Sequence, residues 1–283
     1  MDLHLDQLRT LVVVLDTGSF EAAARAMSVT PSAVSQRIKS LEQQVGRVLV
    51  QRTKPAAATE AGFAVVRLAR QLELLESETA AILDAHAGRT NLAIVANADS
   101  LDTWLLPAIA GLDGITFDIL REDQGYSTDL LREGTVMAAV TSNPEPVQGC
   151  TVTPLGTMTY RPLATPAVRD RWPELRDMPV VIFDRKDALQ DDYLRSRGVE
   201  PTAPPRHYIP GSKAFFDAVS LGLGWGMLPD LQSEALLASG ALVPLDDSTT
   251  TVPLYWQQWS LESAALARVV EALVAAGRRG FRA

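Results

Sequence analysis

Among 283 residues there is one cysteine, Cys150. No disulfide can close within the chain, and no cysteine-based zinc cluster can form. Histidine is nearly as scarce: His4, His86 and His207 lie in separate segments, and no nucleophile motif such as G-x-S-x-G accompanies them. A cofactor fingerprint is missing too, so no enzymatic activity and no metal are expected. No apolar run reaches the roughly 20 residues of a membrane span. The opening MDLHLDQLR lacks a basic stretch leading into an apolar core, which speaks against a secretory leader. A lone thiol without a leader fits a reduced, cytoplasmic setting. An overall cationic character is also lacking, since the net charge is −8.

What the chain does hold is helix punctuation. In TPSAVSQRIKSLEQQVG, residues 30–46, Val34, Ile38, Leu41 and Val45 fall on one face of an α-helix. Thr30 suits the N-cap, Pro31 the first helical position and Gly46 the stop. The opposite face carries Ser32, Gln36, Lys39 and Gln43, groups that can meet phosphates and base edges. Upstream, Leu5, Leu8, Leu11, Val12 and Leu15 form one helical stripe, DTGSF breaks it, and FEAAARAM is a short second helix before the turn SVT. Helix, helix, short turn, helix reads as a helix-turn-helix. Val48, Leu49 and Val50 read as a strand that Pro55 interrupts, a β-wing carrying Arg52 and Lys54. Arg25, Arg37, Lys39, Arg47, Arg52 and Lys54 face only Glu42 within residues 25–54, so a basic patch rides on an acidic body.

A long helix is expected from Thr59 to about Ala87. Ala61, Val65, Leu68, Leu72, Leu75, Thr79 and Ile82 alternate steps of four and three, a heptad seam that predicts a coiled-coil dimer. HAGRTN is the candidate linker. From Asn91, short apolar runs (NLAIVAN, ITFDILRE, MAAVTS, then PVVIFD, RHYIP, GWGMLP, ALVPL and VPLYWQQW) alternate with helical or turn-rich segments and close on the amphipathic SLESAALARVVEALVAAGRR. This is α/β organisation with a mainly parallel sheet. The expected division is a winged helix-turn-helix head at 1–58, a dimerisation helix at 59–87 and an effector-binding body at 91–283.

Taken in order, these pieces resemble the LysR-type transcriptional regulators along the whole chain. The block LRTLVVVLDTGSFEAAARAMSVTPSAVSQRIKSLEQQVGRVLVQR carries the likeness. It departs in the wing, where the family's frequent Leu-Phe-x-Arg is here VLVQR. NADSLDTWLLPA, TSNPEPVQGC, GLGWGMLP and VPLYWQQW are similar to the LysG/ArgP-like branch, whose members sense lysine or arginine and control basic amino-acid export. The resemblance implies an α/β fold with an all-α-rich winged helix-turn-helix head and a two-lobed, periplasmic-binding-protein-like effector domain. Lobe I would be 91–162 and 260–283 and lobe II 163–259, with crossings near residues 162 and 260 and the effector in the cleft. It further implies double-stranded promoter DNA as a partner, self-association as a dimer through the linker helix and then a tetramer, no cofactor and no membrane.

Thr30, Ser32, Ser35, Gln36, Arg37 and Lys39 are the expected DNA contacts, with Arg52 and Lys54 on the backbone from the wing. A basic amino acid asks its cleft for donors to a carboxylate and for carboxylates to two cations. Ser100 is expected to cap the helix that begins in NADSLDTW, with Asp99 and Asp102 as further cation candidates, Asp99 being equally a helix-dipole residue. Asp123, Thr141 and Asp184 stand at strand ends, where open α/β sheets bind ligands, and Asp123 and Asp184 are the acids expected to pair with the cations. Trp225 is a wall residue or, more often in such a turn, core. The competing readings are an amino-acid-binding protein without regulatory DNA binding and an enzyme on an α/β fold.

Overall fold

The computed structural model describes residues 3–83, 89–122 and 127–281. The head follows the punctuation of the sequence. Helix α1 (Leu5–Thr17) ends at Gly18 in the left-handed region, and the Ser19 hydroxyl accepts the Ala22 N–H to open α2 (Phe20–Ala26). Gly18 is required twice over. Its φ is 70°, and a Cβ there would stand 3.0 Å from the Cβ of Pro55. Helix α3 (Pro31–Val45) opens on Thr30, whose hydroxyl accepts the Ala33 N–H, and stops at Gly46 with φ 73°. Such a cap contributes about 1 kcal/mol. Val34, Ile38 and Leu41 are buried against Leu8, Leu11 and Val14 of α1.

The wing starts later than the apolar run suggested. Strand β1 (Val50–Gln51) pairs antiparallel with β2 (Ala57–Ala58), and Val48 is exposed. The Glu42 carboxylate explains the offset: it accepts the N–H groups of Leu49 at 2.8 Å and Val50 at 3.3 Å, tying α3 to the strand's start.

Helix α4 (Glu60–Leu83) carries the expected seam, but divided in use. Of the seam, Val65 is in the head core with Ala61 and Leu72 packed against it; Val66 and Ala69, off the seam, join that core and Leu74 joins the body core. Leu68, Leu75, Thr79 and Ile82 are exposed, so the stripe left open to a partner has a seven-residue repeat at 68, 75 and 82. Ion pairs Arg9–Glu76 and Arg70–Asp16 fix α4 to α1.

The body begins with β3 (Thr90–Ala96) and α5 (Ala98–Ser100), which runs through a π-helical turn (Leu101–Leu105) into α6 (Leu106–Ile109). Then come β4 (Ile115–Arg121), α7 (Ser127–Glu133), β5 (Ala138–Thr141), β6 (Cys150–Ala164), α8 (Pro166–Arg171), β7 (Val180–Ile182) and α9 (Leu189–Ser196). The chain closes with β8 (Arg206–Tyr208), α10 (Ser212–Ser220), β9 (Gly226–Pro229), α11 (Asp230–Ala238), β10 (Val243–Pro244), β11 (Thr250–Trp259) and α12 (Ala264–Gly280). Glu78 of α4 accepts the Ser263 hydroxyl at 2.6 Å and the Ala265 N–H at 2.9 Å, so the linker helix helps to cap α12.

Among the described residues the main sheet runs β10-β6-β11-β5-β3-β4, with β9 also on β6. The expected mainly parallel sheet holds at β4-β3-β5 and at β7-β8, but β6, β9, β10 and β11 pair antiparallel. The reason is the two-lobed plan. β6 and β11 run against each other through both lobes, β11 meeting β5 at Tyr255–Gln258 and β6 meeting β9 and β10 at residues 160–164. Between those stretches the register breaks: Leu254 faces Gly156 and Tyr255 faces Pro154, which leaves Leu155 as a bulge. The expected crossings, near 162 and 260, stand toward the far ends of these strands.

Candidate functional site

Two surfaces gather the chemistry. On the head, Thr30, Ser32, Gln36 and Lys39 are exposed along α3, and Ser35 and Arg37 are half-buried. Thr30 and Ser32 share a hydrogen bond of 2.9 Å at the helix start. The Arg37 guanidinium leans back toward the Thr10 hydroxyl of α1, at 3.5 Å. Arg52 and Lys54 are exposed on the β1–β2 turn, with the Arg52 guanidinium 5.0 Å from the Phe20 ring centroid. Cations and neutral hydrogen-bonding groups thus stand together on α3, with two further exposed cations on the turn.

The second surface is a cavity of about 440 Å³ between the lobes. Lobe I supplies Asn97, Asp99 and Ser142, lobe II supplies Phe183, Asp187 and Phe215, and Tyr160 comes from β6. Asp99 accepts the Tyr160 hydroxyl at 2.9 Å and also that of Ser212. Burial raises its carboxyl above the usual range, against the pull of those two donors. Asp187 accepts backbone N–H groups of Leu189 at 3.0 Å and Phe183 at 3.4 Å, yet burial still pushes it up to about 6, with the Asp99 charge adding to the rise. The Tyr160 phenol is held well above its ordinary range by burial and by Asp99. Two desolvated carboxylates, one from each lobe, face one cavity and make its charged form costly. Asp102 bridges the lobes beside it, its Oδ2 accepting the Lys213 N–H of α10 at 3.2 Å. The Ser142 wall is held by buried Gln257, which donates to the carbonyls of Asn143 and Glu145 and accepts the Val147 N–H.

Comparison with known proteins bears on both surfaces. Residues 5–63 match the bacterial regulatory helix-turn-helix proteins of the lysR family, and residues 84–278 match the LysR substrate binding domain. This chain belongs to the LysR family. Within it, the chain is 46% identical to the lysine export transcriptional regulatory protein LysG of Corynebacterium efficiens, covering 99% of both chains. Among solved structures, LysG of Corynebacterium glutamicum with bound effector Arg is 42% identical with a TM-score of 0.82, over 99% of this chain and 100% of that one. ArgP of Mycobacterium tuberculosis is 43% identical with a TM-score of 0.89, over 99% of each. A LysR-family regulator is what the head and the two-lobed body together make.

The LysR fold does not bring every expected cleft residue together. Asp99 lines the cavity. Ser100 is not the cap: helix α5 starts at Ala98 with Asn97 in the N-cap position, and Ser100 is buried in its first turn. Thr141 is buried at the end of β5, where its hydroxyl accepts the Asn143 N–H, and its neighbour Ser142 reaches the cavity instead. Asp184 turns into its own loop, accepting the N–H groups of Lys186 at 2.6 Å and Asp187 at 3.0 Å. That turn delivers Asp187, three residues on, to the cavity. Asp123 lies outside the described residues. Trp225 is fully buried core, edge-on to Tyr193 at 5.1 Å. Sequence reasoning missed Asp187, Tyr160 and Asn97. The D-R-K-D spacing was the available signal for Asp187, since an Asp that accepts backbone N–H groups two and three residues on is spent on its own turn.

Proposed function

We propose that this LysR-family chain is a transcriptional regulator that binds double-stranded promoter DNA and whose binding or activation responds to a basic amino acid, lysine or arginine. The carrying observation is the pair of buried carboxylates, Asp99 and Asp187, set on opposite lobes around one cavity. A dicationic, carboxylate-bearing guest satisfies both acids at once, and the first turn after Asn97, which no side chain caps, suits its α-carboxylate. Such a guest favours the lobe angle at which both acids reach it, and a ligand shifts an equilibrium only through such a preference.

The exposed face of α3 supplies Gln36 to base edges, with Ser32, Ser35 and Thr30 beside it, while Lys39, Arg37, Arg52 and Lys54 serve phosphates. The open stripe Leu68, Leu75 and Ile82 supports dimerisation along α4, which sets two recognition helices on a palindromic site and leaves the bodies free to build a tetramer. The names of the LysG relatives support a basic amino-acid exporter as the regulated product. The division at 1–58, 59–87 and 91–283 follows the same roles.

Calorimetric titration of the full chain with lysine and with arginine tests the proposal, together with gel retardation of its upstream DNA at two salt concentrations. Saturable uptake of either amino acid that Asp99→Asn weakens, and a DNA shift that fades with salt, are expected. A folded chain that takes up neither amino acid overturns the effector assignment. DNA retardation absent at low salt overturns the regulator assignment in favour of a plain amino-acid-binding protein.

A further inference from the structure

The bulge in β6 is held from behind by the C-terminal helix, and the contacts are unusually close. At Gly277 of α12 an added Cβ would stand 2.1 Å from the Leu155 carbonyl oxygen, so the helix backbone rests directly on the bulged residue. One residue on, Gly156 has φ 134°, a conformation that side-chain-bearing residues rarely adopt. The space where its side chain would be is filled by Phe281: a Cβ there would meet the ring Cδ2 at 2.6 Å and the Phe281 Cβ at 2.9 Å. The other side of the ring system meets Trp104, with centroids 5.3 Å apart and planes at 78°, an edge-to-face pair. Trp104 sits in the π-helical turn that follows Asp99 and contains Asp102. Phe281 therefore touches the strand irregularity between the lobes and the segment that carries the lobe I acids.

Two cavities flank β6. Tyr160 lines the effector cavity, whereas Thr157, Met158, Thr159 and Arg161 line a separate cavity of about 380 Å³, bounded by Leu231 and Glu234 of α11 and by Phe281. Space behind a strand pair that joins two lobes is what a rotation about those strands would consume or create.

We infer that Phe281, seated on Gly156 and against Trp104, is a positioning residue that sets the angle between the lobes and thereby the affinity of the cleft for its cationic effector. The inference rests on the function proposed above only for its ligand, because the lobe angle can be read without one. In the arrangement seen, Asp99 meets Tyr160 and Asp102 meets Lys213 across the cleft. Phe281 supports that geometry from the rear, and its removal frees the bulge to bend.

The test is a double-mutant cycle of Phe281→Ala and Gly156→Ala on the full chain, with Phe281→Tyr as the conservative control. Two readouts are taken: lysine and arginine affinity by calorimetry, and the interlobe distance by spin labels at Glu200→Cys and Glu271→Cys in a Cys150→Ser background, diluted with unlabelled protein. Phe281→Ala is expected to broaden the distance distribution without effector and to weaken affinity about two- to tenfold, the scale of an aromatic pair. Phe281→Tyr keeps both near wild type. Gly156→Ala, which evicts the ring, reproduces the Phe281→Ala distances, and the double variant is no worse than the more affected single one. An unchanged distance distribution in folded Phe281→Ala overturns the inference, and so do single effects that multiply in the double variant. Wild-type protein that binds neither amino acid would count against the effector assignment alone, leaving the distance readout to decide this one.

Discussion

The head and the cleft are assembled on opposite plans. The groups proposed to meet DNA fall between residues 30 and 54, on one helix and one small hairpin, and the caps that place them are local: Thr30, Gly46, Glu42. The cleft draws on residues as far apart as Asn97, Tyr160, Asp187, Phe215 and Val252. A local site depends on a few turns being right, whereas a distributed one depends on the whole body holding its angle. The difference predicts separable failure. Gln36→Ala, Lys39→Ala and Arg52→Ala together should lower operator affinity at least about a hundredfold, from one base contact of about 1–3 kcal/mol and two lost phosphate contacts. The salt slope should fall by about two while calorimetric uptake of lysine or arginine stays as it was. A variant that loses both together would refute the separation of head from cleft, and an unchanged salt slope would remove Lys39 and Arg52 from the interface.

The same contrast explains what could be read in advance. Helix periods, caps and the basic patch announced α1, α2, α3 and the long α4, because each depends on neighbours a few residues away. Strand β6 went unanticipated although it is the longest strand described. Pro154, Gly156 and Pro162 interrupt its pattern, and those breakers mark the bulge and the passage between lobes. In the cleft, Asp99 was legible because it opens a helix after a strand. Tyr160 was not, since its approach depends on pairings of β6 with β9 and β11 that no local pattern records, and Asp187 was passed over for Asp184, the strand-end acid whose turn delivers it.

Proton linkage separates the two surfaces again, because it touches the cleft and leaves the head alone. Asp187 rises from its ordinary 3.8 to about 6 on folding. The folded state therefore holds the proton more tightly, and stability should fall as pH rises from about 4 to about 6, by of order 1–3 kcal/mol. Above that window the carboxylate is charged and buried, and a bound cation relieves it. Lysine or arginine should thus bind about tenfold more tightly at pH 7 than at pH 5, and should raise the melting temperature more at pH 7. Asp187→Asn should flatten both trends. DNA retardation without effector should show no matching step from this residue, and an equal pH dependence in Asp187→Asn would remove Asp187 from the account.

Within the cleft, two acids three residues apart have separable roles. Asp184 spends its carboxylate on the N–H groups of Lys186 and Asp187. An asparagine carbonyl can accept both bonds, so Asp184→Asn should cost under about 1 kcal/mol in stability and change effector affinity less than threefold. Asp187→Asn keeps a similar shape but removes the negative charge from the cavity, and should weaken the effector by about tenfold or more at pH 7. Asp184→Ala is the informative intermediate. It leaves the two N–H groups without their acceptor, so it should disturb Asp187 indirectly, weakening the effector while preserving the pH dependence that Asp187 confers. If Asp184→Asn instead matched Asp187→Asn in affinity and in pH profile, charge at 184 would be what the ligand reads, and the turn that delivers Asp187 would be only a turn.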